Sequence, residues 1–299
     1  MGCVILVTGA TGQVGHHLME ALADTAAEAT AMVRVEAKAA DLPGSPQHVV
    51  ASFDDPPDAE FLRAFDRVFL LSPAVEEQVE LETIFIDALV SAGHRPHVVK
   101  IACDGFADPD CDVRFMRNHR QIAVHLDATG LPVTYIAPSL YMENLLEAAD
   151  TIRDQGTIYA PAGRGKVGFV AASDVAAVAA RNLTDPGGHQ DQTYVLTGPE
   201  ALSYADVAAR VSAVFAREVD YEELTEAHAK EQMLASGLSP WQVDGNLELF
   251  DWIRHGAMDS ATPTVRDVTG DDPETVEDWL SDMRAAFVGR PEGLPPSEV

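Results

Sequence analysis

Residues 3–15 read CVILVTGATGQVG, an apolar run that leads directly into glycines at Gly9, Gly12 and Gly15. The run is typical of a buried strand, and the amphipathic pattern after it is typical of a helix. Gly9 permits the tight turn, Gly12 lets the backbone approach a diphosphate, and Gly15 lets the helix pack against the strand. Because free N–H groups at a helix N-terminus attract an anion, the stretch predicts a dinucleotide site. The alternative is a turn that only caps the helix.

The second predicted strand ends at Val33 and is followed by Arg34. In a dinucleotide-binding fold, an acid at this point holds the ribose 2′-hydroxyl of NAD, whereas an arginine receives the 2′-phosphate of NADP. The guanidinium fork matches a phosphate, and Lys38 lies near enough to add positive charge. We therefore expect NADP(H) as the cofactor. The alternative is a solvent-exposed arginine without a ligand.

Short apolar runs alternate with amphipathic stretches through the first half of the chain. This alternation predicts a parallel sheet covered by helices on both faces, which is the α/β doubly wound Rossmann architecture. The predicted strands are residues 4–7, 30–33, 48–51, 68–71, 97–102 and 133–137.

The second half of the chain is richer in helical patterns. Ser203 and Asp206 form a capping box at the start of one helix, and Pro240 stands in the first turn of another. The predicted elements are strands at 157–160 and 167–170, and helices at 173–183, at 203–215, from 239, and from 272 to about 287.

These elements predict a Rossmann domain followed by a smaller, mostly helical C-terminal substrate lobe. We assign residues 1–138 to the NAD(P)-binding domain, with a returning segment at about 165–200. Residues 139–164 and 201–288 form the substrate lobe, and residues 289–299 are expected to be a disordered tail.

The net charge of the 299-residue chain is −28, from 20 basic and 48 acidic side chains. A field this negative repels nucleic acid and anionic membrane, so neither is an expected partner. No apolar run approaches the ~20 residues that span a bilayer, and no secretory signal pattern is present. The three cysteines fit no zinc spacing, so we expect a cytoplasmic protein with free thiols and no metal site.

Several motifs, taken in chain order, resemble the NmrA-like branch of the atypical short-chain dehydrogenase/reductase superfamily. They are TGATGQVG at 8–15, MVR at 32–34, FLLSP at 69–73, VVK at 98–100, His119, GLPVTYIAPSLYMENL at 130–145 and VTGDDPETVEDWLSDMRAAF at 268–287. The resemblance implies an NAD(P)-binding protein. Relatives of this branch include NADPH-dependent quinone, azo-dye and triphenylmethane reductases, and also regulators that bind the nucleotide without reducing anything.

The chain departs from the wider superfamily at several functional positions. No tyrosine is followed by a lysine four residues later, so the Tyr-x-x-x-Lys dyad of conventional members is missing. Ala102 stands where many relatives have serine, Ala137 where they have arginine, and Ser52 where an aspartate often contacts the adenine. These changes favour hydride transfer to a conjugated acceptor over reduction of simple ketones, because the cofactor then carries most of the chemistry.

Ligands of a doubly wound sheet bind beyond the carboxyl ends of its strands, which places the loops after the predicted strands around the cofactor. The residues predicted to contact the cofactor are Gly9, Thr11, Gly12, Gln13, Val14, Gly15, Arg34, Leu71, Ser72, Pro73, Lys100 and Pro138.

The predicted catalytic residues are His119, Tyr141 and Lys100. Lys100 would hold the nicotinamide ribose or polarise a substrate oxygen; the alternative is a lysine that extends to solvent from an edge strand. His119 would donate a proton, and the alternative is a structural histidine. Tyr141 is predicted both to line the substrate pocket and to donate a proton.

The predicted substrate contacts are Tyr141, Asn144 and Trp241. Asn144 either hydrogen-bonds the substrate or caps a helix. Trp241 shares a helical spacing with Phe250 and Trp252, a pattern found more often in a core than in a pocket.

These features together predict an NADPH-dependent oxidoreductase that transfers hydride to a quinone-like or conjugated aromatic small molecule, in a setting such as bacterial secondary metabolism. The alternatives are an NAD(P)-sensing regulator without turnover, and a tailoring enzyme for a coupling, isomerisation or dehydration step. A homodimer is among the expectations.

Overall fold

The computed structural model describes residues 3–185 and 187–288, so the predicted tail at 289–299 lies outside the described residues. The strands are β1 Val4–Val7, β2 Glu28–Val33, β3 Gln47–Val50, β4 Arg67–Leu70, β5 His97–Ile101, β6 Val133–Pro138, β7 Thr157–Ala160, β8 Lys166–Val167, β9 Thr193–Leu196, β10 Leu202–Ser203 and β11 Asp220–Glu223.

Helices cover the sheet and build most of the second half. The α-helices are α1 Gln13–Ala23, α2 Ala59–Leu62, α3 Gln78–Ser91, α4 Arg114–Ala128, α5 Ala149–Gln155, α6 Ala172–Thr184, α7 Tyr204–Phe215, α8 Glu226–Ala235, α9 Pro240–Arg254, α10 Thr264–Thr269, α11 Val276–Asp282 and α12 Arg284–Val288. In the part of the chain that the structure describes, 3-10 helices span Glu36–Asp41 and Met142–Ala148.

Seven strands form one parallel sheet in the order β3-β2-β1-β4-β5-β6-β9. The predicted α/β doubly wound Rossmann fold is therefore confirmed. β1 lies inside the sheet, and Ile5, Leu6 and Val7 have no exposed surface, which explains why this strand reads as a continuous apolar run. The strand order reverses between β1 and β4, and ligands of such sheets bind at this point.

The two faces of the sheet are covered by different helices. Helices α1, α6 and α10 pack on one face, where Leu18 and Leu22 of α1 are buried against the apolar face of α6. Helices α2, α3 and α4 cover the other face, around Phe85, Leu89 and Leu126. Both helix sets leave the carboxyl ends of β1 and β4 to β6 accessible to a ligand.

The C-terminal helices have a core of their own, in which Phe215, Trp279 and Phe287 pack together. Short strand pairs, β8 with β10 and β7 with β11, join this lobe to the preceding segment. β9, from the segment predicted to return to the first domain, extends the central sheet beside β6. The domain boundaries themselves remain a prediction.

Two predicted elements are wrong in extent. The predicted strand at 167–170 is only β8, because the backbone then turns away and Val170 makes an isolated bridge with Tyr141. The last predicted helix does not start at Asp272-Pro273. Thr275 caps α11 by accepting from the Asp278 backbone N–H. The helix is then interrupted at Met283, before α12.

Candidate active site

The turn after β1 is fixed to the end of β4 through the buried side chain of Thr8. Its hydroxyl donates to the Phe69 carbonyl at 3.0 Å and accepts from the Leu71 backbone N–H at 2.9 Å. These bonds join the two strands at the point where the strand order reverses, and so shape the ligand crevice. Thr8 is absent from the predicted site residues, although a polar threonine directly after the apolar run could have indicated a structural hydrogen bond at the turn.

The glycine loop forms a cradle that fits an anion. Gly9 has a φ of +64°, and a Cβ there would lie 2.8 Å from the Leu71 carbonyl oxygen. A Cβ on Gly15 would lie 2.1 Å from the Gly9 oxygen, whereas one on Gly12 would meet only that oxygen at 3.4 Å and otherwise enter open space. Helix α1 starts after Gly12 with no side-chain cap and no acid in its first turn. These features fit the diphosphate of a dinucleotide.

The first turn of α1 offers backbone groups rather than side chains. Gln13, Val14 and Gly15 carry the N–H groups that have no partner within a helix. The Val14 side chain points into the core and is 5% exposed. Val14 and Gly15 can therefore contact a cofactor only through their backbone.

A cavity of about 440 Å³ lies beyond the ends of β1 to β4. It brings together seven of the predicted cofactor contacts, which are Gly9, Thr11, Gly12, Arg34, Leu71, Ser72 and Pro73. Its place beside the glycine loop and Arg34 matches the adenosine half of a dinucleotide in this fold, and we call it the adenosine cavity.

Arg34 lies where this cavity meets a second, more polar hollow. The hollow, of about 360 Å³, is lined by Thr11, His16, Arg34 and Lys38. Arg34 is exposed, so its guanidinium is free to turn toward a ribose 2′-phosphate. Lys38 is also exposed, and its ammonium lies 3.7 Å from the Asp41 carboxylate, which reduces the charge it offers.

The adenosine cavity also contains Phe53 and Asp54, which are absent from the predicted residues. A hydrogen bond from Ser52 lowers the pKa of the Asp54 carboxyl, so this group is ionised at neutral pH. Ser52 stands where many relatives have an aspartate, and Asp54 supplies a carboxylate two residues later in the same loop. The signal was available, because Asp54 lies in the same loop after β3, two residues beyond Ser52.

A third cavity, called the catalytic cavity below, adjoins the adenosine cavity and has a volume of about 360 Å³. The two share Leu71 and Ser72. Its walls come from the loops after β4, β5 and β6, and from α4 and α9; they include His119, Pro138, Tyr141 and Asn144. A dinucleotide whose adenosine half occupies the adenosine cavity would thus place its nicotinamide beside the catalytic cavity.

Lys100 does not line the catalytic cavity, contrary to the prediction that it binds the cofactor directly. Its side chain is 1% exposed, so the alternative of a solvent-directed lysine is also wrong. The ammonium donates to Glu82 Oε1 at 3.0 Å, to His119 Nδ1 at 3.4 Å and to the Ile101 carbonyl. An ammonium has three N–H groups, and all three have partners. A buried cation must be paired in this way, and the pairing holds Lys100 against His119 rather than in the cavity.

Glu82 is the buried counter-charge and has no exposed surface. Its Oε1 also accepts from the Ser72 hydroxyl at 2.6 Å, and that hydroxyl accepts from Gln78 Nε2 at 3.2 Å. The ion pair thus contacts two residues of the cavity wall: Glu82 bonds Ser72, and Lys100 bonds His119. Glu82 was detectable from the sequence, since it stands on the same helical face as Phe85, where a lone acid requires a partner.

His119 lies between Lys100 and the catalytic cavity. Burial first, and then the charge of Lys100, hold the pKa of the imidazole well below its usual range. Because the lysine ammonium can only donate, Nδ1 must accept and the ring proton sits on Nε2. His119 is therefore a neutral imidazole beside the cavity rather than an imidazolium, and its role as a donor stays a prediction.

Tyr141 lines the catalytic cavity at the end of the β6 loop, where its backbone bridges to Val170. Burial raises the pKa of its phenol, so the hydroxyl stays protonated and can donate a hydrogen bond. Its environment is unlike that of a tyrosine acidified by a neighbouring lysine, because Lys100 has no N–H to spare.

Asn144 does not cap a helix. Its backbone N–H closes a turn onto the Tyr141 carbonyl at 3.1 Å, and its side chain lines the catalytic cavity. Its neighbour Glu143 makes the cap, since one carboxylate oxygen accepts from the Ala172 backbone N–H at the start of α6. The alternative of Asn144 as a substrate contact stands as a proposal.

Trp241 lies outside the lining of the catalytic cavity. It packs edge-on against Phe115, with ring centroids 5.3 Å apart, and it lies under the guanidinium of Arg114. Arg114 also holds both carboxylate oxygens of Glu248, which fixes α4 to α9. Of these two rings only Phe115 lines the cavity, and Trp241 packs behind it.

The family model of the NmrA-like family matches residues 1–280 of this chain. This chain belongs to the NmrA-like family. It shares with that family the atypical short-chain dehydrogenase/reductase fold described above.

Three relatives of this NmrA-like chain span almost its full length. It is 34% identical to an NAD(P)H azoreductase of Xenophilus azovorans over 95% of this chain and 99% of that enzyme. It is 32% identical to a (4-alkanoyl-5-oxo-2,5-dihydrofuran-3-yl)methyl phosphate reductase of Streptomyces griseus, with the same coverage. The structure of NADPH-dependent quinone oxidoreductase QOR2 from Escherichia coli, complexed with NADPH, superimposes with a TM-score of 0.83 at 25% identity, covering 94% and 99% of the two chains.

Two kinds of feature are absent from residues 3–185 and 187–288 of the NmrA-like chain. Within that part of the chain, no helix combines the length and apolar character needed to cross a membrane. The same residues contain no group of three or more histidine, cysteine or acidic side chains placed to hold a metal ion.

Gly12→Val is expected to abolish nucleotide binding while the fold is kept. Gly12 has an ordinary φ of −86°, and its Cβ would enter the space where a diphosphate approaches. Gly15→Ala is the matched control for a structural glycine, because its Cβ would clash with the backbone of Gly9 and should lower the melting temperature. Calorimetric titration and thermal unfolding of both variants check this. Unchanged nucleotide affinity in Gly12→Val would show that the loop is structural only.

Proposed function

We propose that this protein transfers hydride from NADPH to a quinone-like or other conjugated aromatic acceptor. The observation that carries the proposal is the meeting of two cavities at Leu71 and Ser72. One has the glycine cradle and Arg34, which suit NADPH, and the other has room for an aromatic ring. The azoreductase relative and the fold shared with the quinone oxidoreductase support the same reaction class.

NADPH, when bound, supplies the hydride, and the side chains of this chain orient the acceptor. His119 and Tyr141 both line the catalytic cavity, and there the neutral imidazole N–H and the phenol O–H can each donate a hydrogen bond to an acceptor oxygen or nitrogen. Such donors stabilise negative charge as it develops on that atom. Lys100 and Glu82 keep the histidine in the donating tautomer.

The same groups explain why a conjugated acceptor suits this site better than a simple ketone. Reduction of a quinone leaves a phenolate-type oxygen, with a pKa of about 10, that hydrogen bonds can stabilise. Reduction of a ketone leaves a far more basic alkoxide, which needs a strong proton donor. Burial raises the pKa of Tyr141, and His119 is neutral, so neither group is a strong acid.

Steady-state oxidation of NADPH tests the proposal directly. We expect turnover with small uncharged quinones and little or none with cyclohexanone-type ketones. Binding of NADPH without oxidation by any quinone or azo compound would favour the regulator alternative. The catalytic cavity beside the nucleotide site argues against that alternative, since a pure sensor has no use for it.

Arg34→Ala is expected to lose most of a preference for NADPH over NADH. A charge-assisted contact to the 2′-phosphate contributes about 1.5–3 kcal/mol, which is roughly 10- to 150-fold in affinity. NADH binding should change little, and salt should weaken the wild-type preference. Lys38→Ala is the matched control with a smaller expected effect, because Asp41 already pairs with that ammonium. Equal wild-type affinities at low salt would show that Arg34 does not read the phosphate.

A further inference from the structure

A fourth cavity, of about 470 Å³, lies in the C-terminal lobe; we call it the distal cavity. Its walls come from the 3-10 helix Met142–Ala148, from α5, β7 and α8, and from Phe250 of α9. None of the predicted cofactor contacts lines it. The nucleotide therefore leaves this space unused.

The distal cavity adjoins the catalytic cavity. Asn144 and Leu238 line both, and neither side chain is part of the buried core, so an elongated molecule that displaces only these two can occupy both spaces. The two volumes, about 360 and 470 Å³, together exceed what a single small quinone fills. The space resembles a site for an elongated ligand, whose reacting end lies beside His119.

The chemistry of the distal walls is aromatic with one acid. Tyr204 and Phe250 lie with ring centroids 6.0 Å apart on one side. Glu147 is the only charged side chain of the lining, and within residues 3–185 and 187–288 it forms no ion pair. No lysine or arginine lines either cavity among those residues. Glu147 is exposed as a residue, and desolvation of its carboxyl raises the pKa of that group, an effect that a bound cation would oppose.

We propose that the distal cavity holds the far arm of an elongated aromatic acceptor, and that Glu147 selects an arm carrying a positive charge. This inference rests on the proposed function and names its substrate class. The aromatic walls contact the apolar part of the arm, and they also attract a cation through their ring faces. An anionic arm meets Glu147 in the distal cavity, with no positive side chain among the described residues of the lining to offset the repulsion.

The test compares four naphthoquinones: the parent, and three that carry an arm of equal length ending in trimethylammonium, tert-butyl or sulfonate. Wild type should prefer the ammonium arm over the tert-butyl arm by about fivefold in kcat/KM, since Glu147 is partly exposed and the ion pair is screened. Glu147→Gln should remove that preference and leave turnover of the parent unchanged. The sulfonate arm should be the poorest substrate of wild type.

Gln232→Trp fills the distal cavity from the exposed face of α8. It should lower kcat/KM tenfold or more for every compound with an arm and leave the parent unaffected. Glu231→Trp is the matched control, because it adds the same side chain to the same helix outside the lining. Equal effects of the two tryptophans on arm-bearing compounds would overturn the inference.

Different results would contradict the proposed function and the role of the distal cavity. If wild type oxidises NADPH with none of the quinones, the proposed function is wrong. Calorimetric binding of the same four compounds to the protein with NADP⁺ still tests the distal cavity in that case. A preference for the ammonium arm that Glu147→Gln abolishes supports the inference, and equal affinities for the ammonium and sulfonate arms overturn it.

Discussion

Lys100→Met is expected to destabilise the protein by about 3–5 kcal/mol, the largest stability effect of any substitution considered. The change removes the ammonium that neutralises Glu82, and it leaves a carboxylate with no exposed surface and no counter-charge. Urea unfolding at neutral pH measures the loss. The double variant Glu82→Leu with Lys100→Met should regain most of it, because an apolar pair of similar volume needs no counter-charge.

The matched control for Lys100 is Lys166→Met. That ammonium lies 4.0 Å from the Asp206 carboxylate, and its side chain is 55% exposed. An exposed pair of this kind contributes less than about 1 kcal/mol. A loss for Lys100→Met no larger than that for Lys166→Met would show that the buried network does not carry the stability assigned to it.

His119→Ala is expected to lower kcat/KM for a quinone by about 10²–10³, the effect typical of losing one donor to a developing oxyanion. His119→Gln should recover part of this, because an amide N–H can donate from a similar position. His125→Ala is the control, since His125 lies on the same helix and pairs with Asp87 at the surface. Equal kinetics in His119→Ala and His125→Ala would remove His119 from the site.

The pH dependence gives a second readout for His119. Its pKa lies well below the ordinary value of about 6.5, so the imidazole is neutral at and above neutral pH and gains a second proton only on strong acidification. We therefore expect kcat/KM to lack a histidine limb near pH 6.5. A rate that falls as pH rises through that value would require an imidazolium, and would contradict the neutral N–H assigned here.

The glycine stretch predicts the fold well because each of its residues is constrained by local geometry. The turn at Gly9, the uncapped start of α1 and the close approach at Gly15 are all properties of neighbouring residues. The six predicted strands are found with ends shifted by at most two residues, since parallel strands buried on both faces are apolar along their length.

The role of Lys100 could not be read from its position in the chain. A lysine in an apolar strand either reaches solvent or meets a buried acid, and only the packing of α3 on β5 decides which. The tautomer of His119 follows from the same pairing. Trp241 illustrates the opposite limit: its helical spacing was clear, but whether it or Phe115 faces the cavity depends on how α9 packs against α4.

A single-turnover experiment tests most directly the claim that this protein passes hydride from NADPH to a quinone-like acceptor. Protein loaded with one equivalent of NADPH is mixed with an uncharged quinone, and loss of the reduced nicotinamide absorbance is followed. We predict stoichiometric oxidation, slowed by deuterium on only one of the two C4 faces of the nicotinamide, because a bound cofactor presents one face to the catalytic cavity. NADPH that stays bound and unoxidised, or oxidation insensitive to either label, would contradict the account.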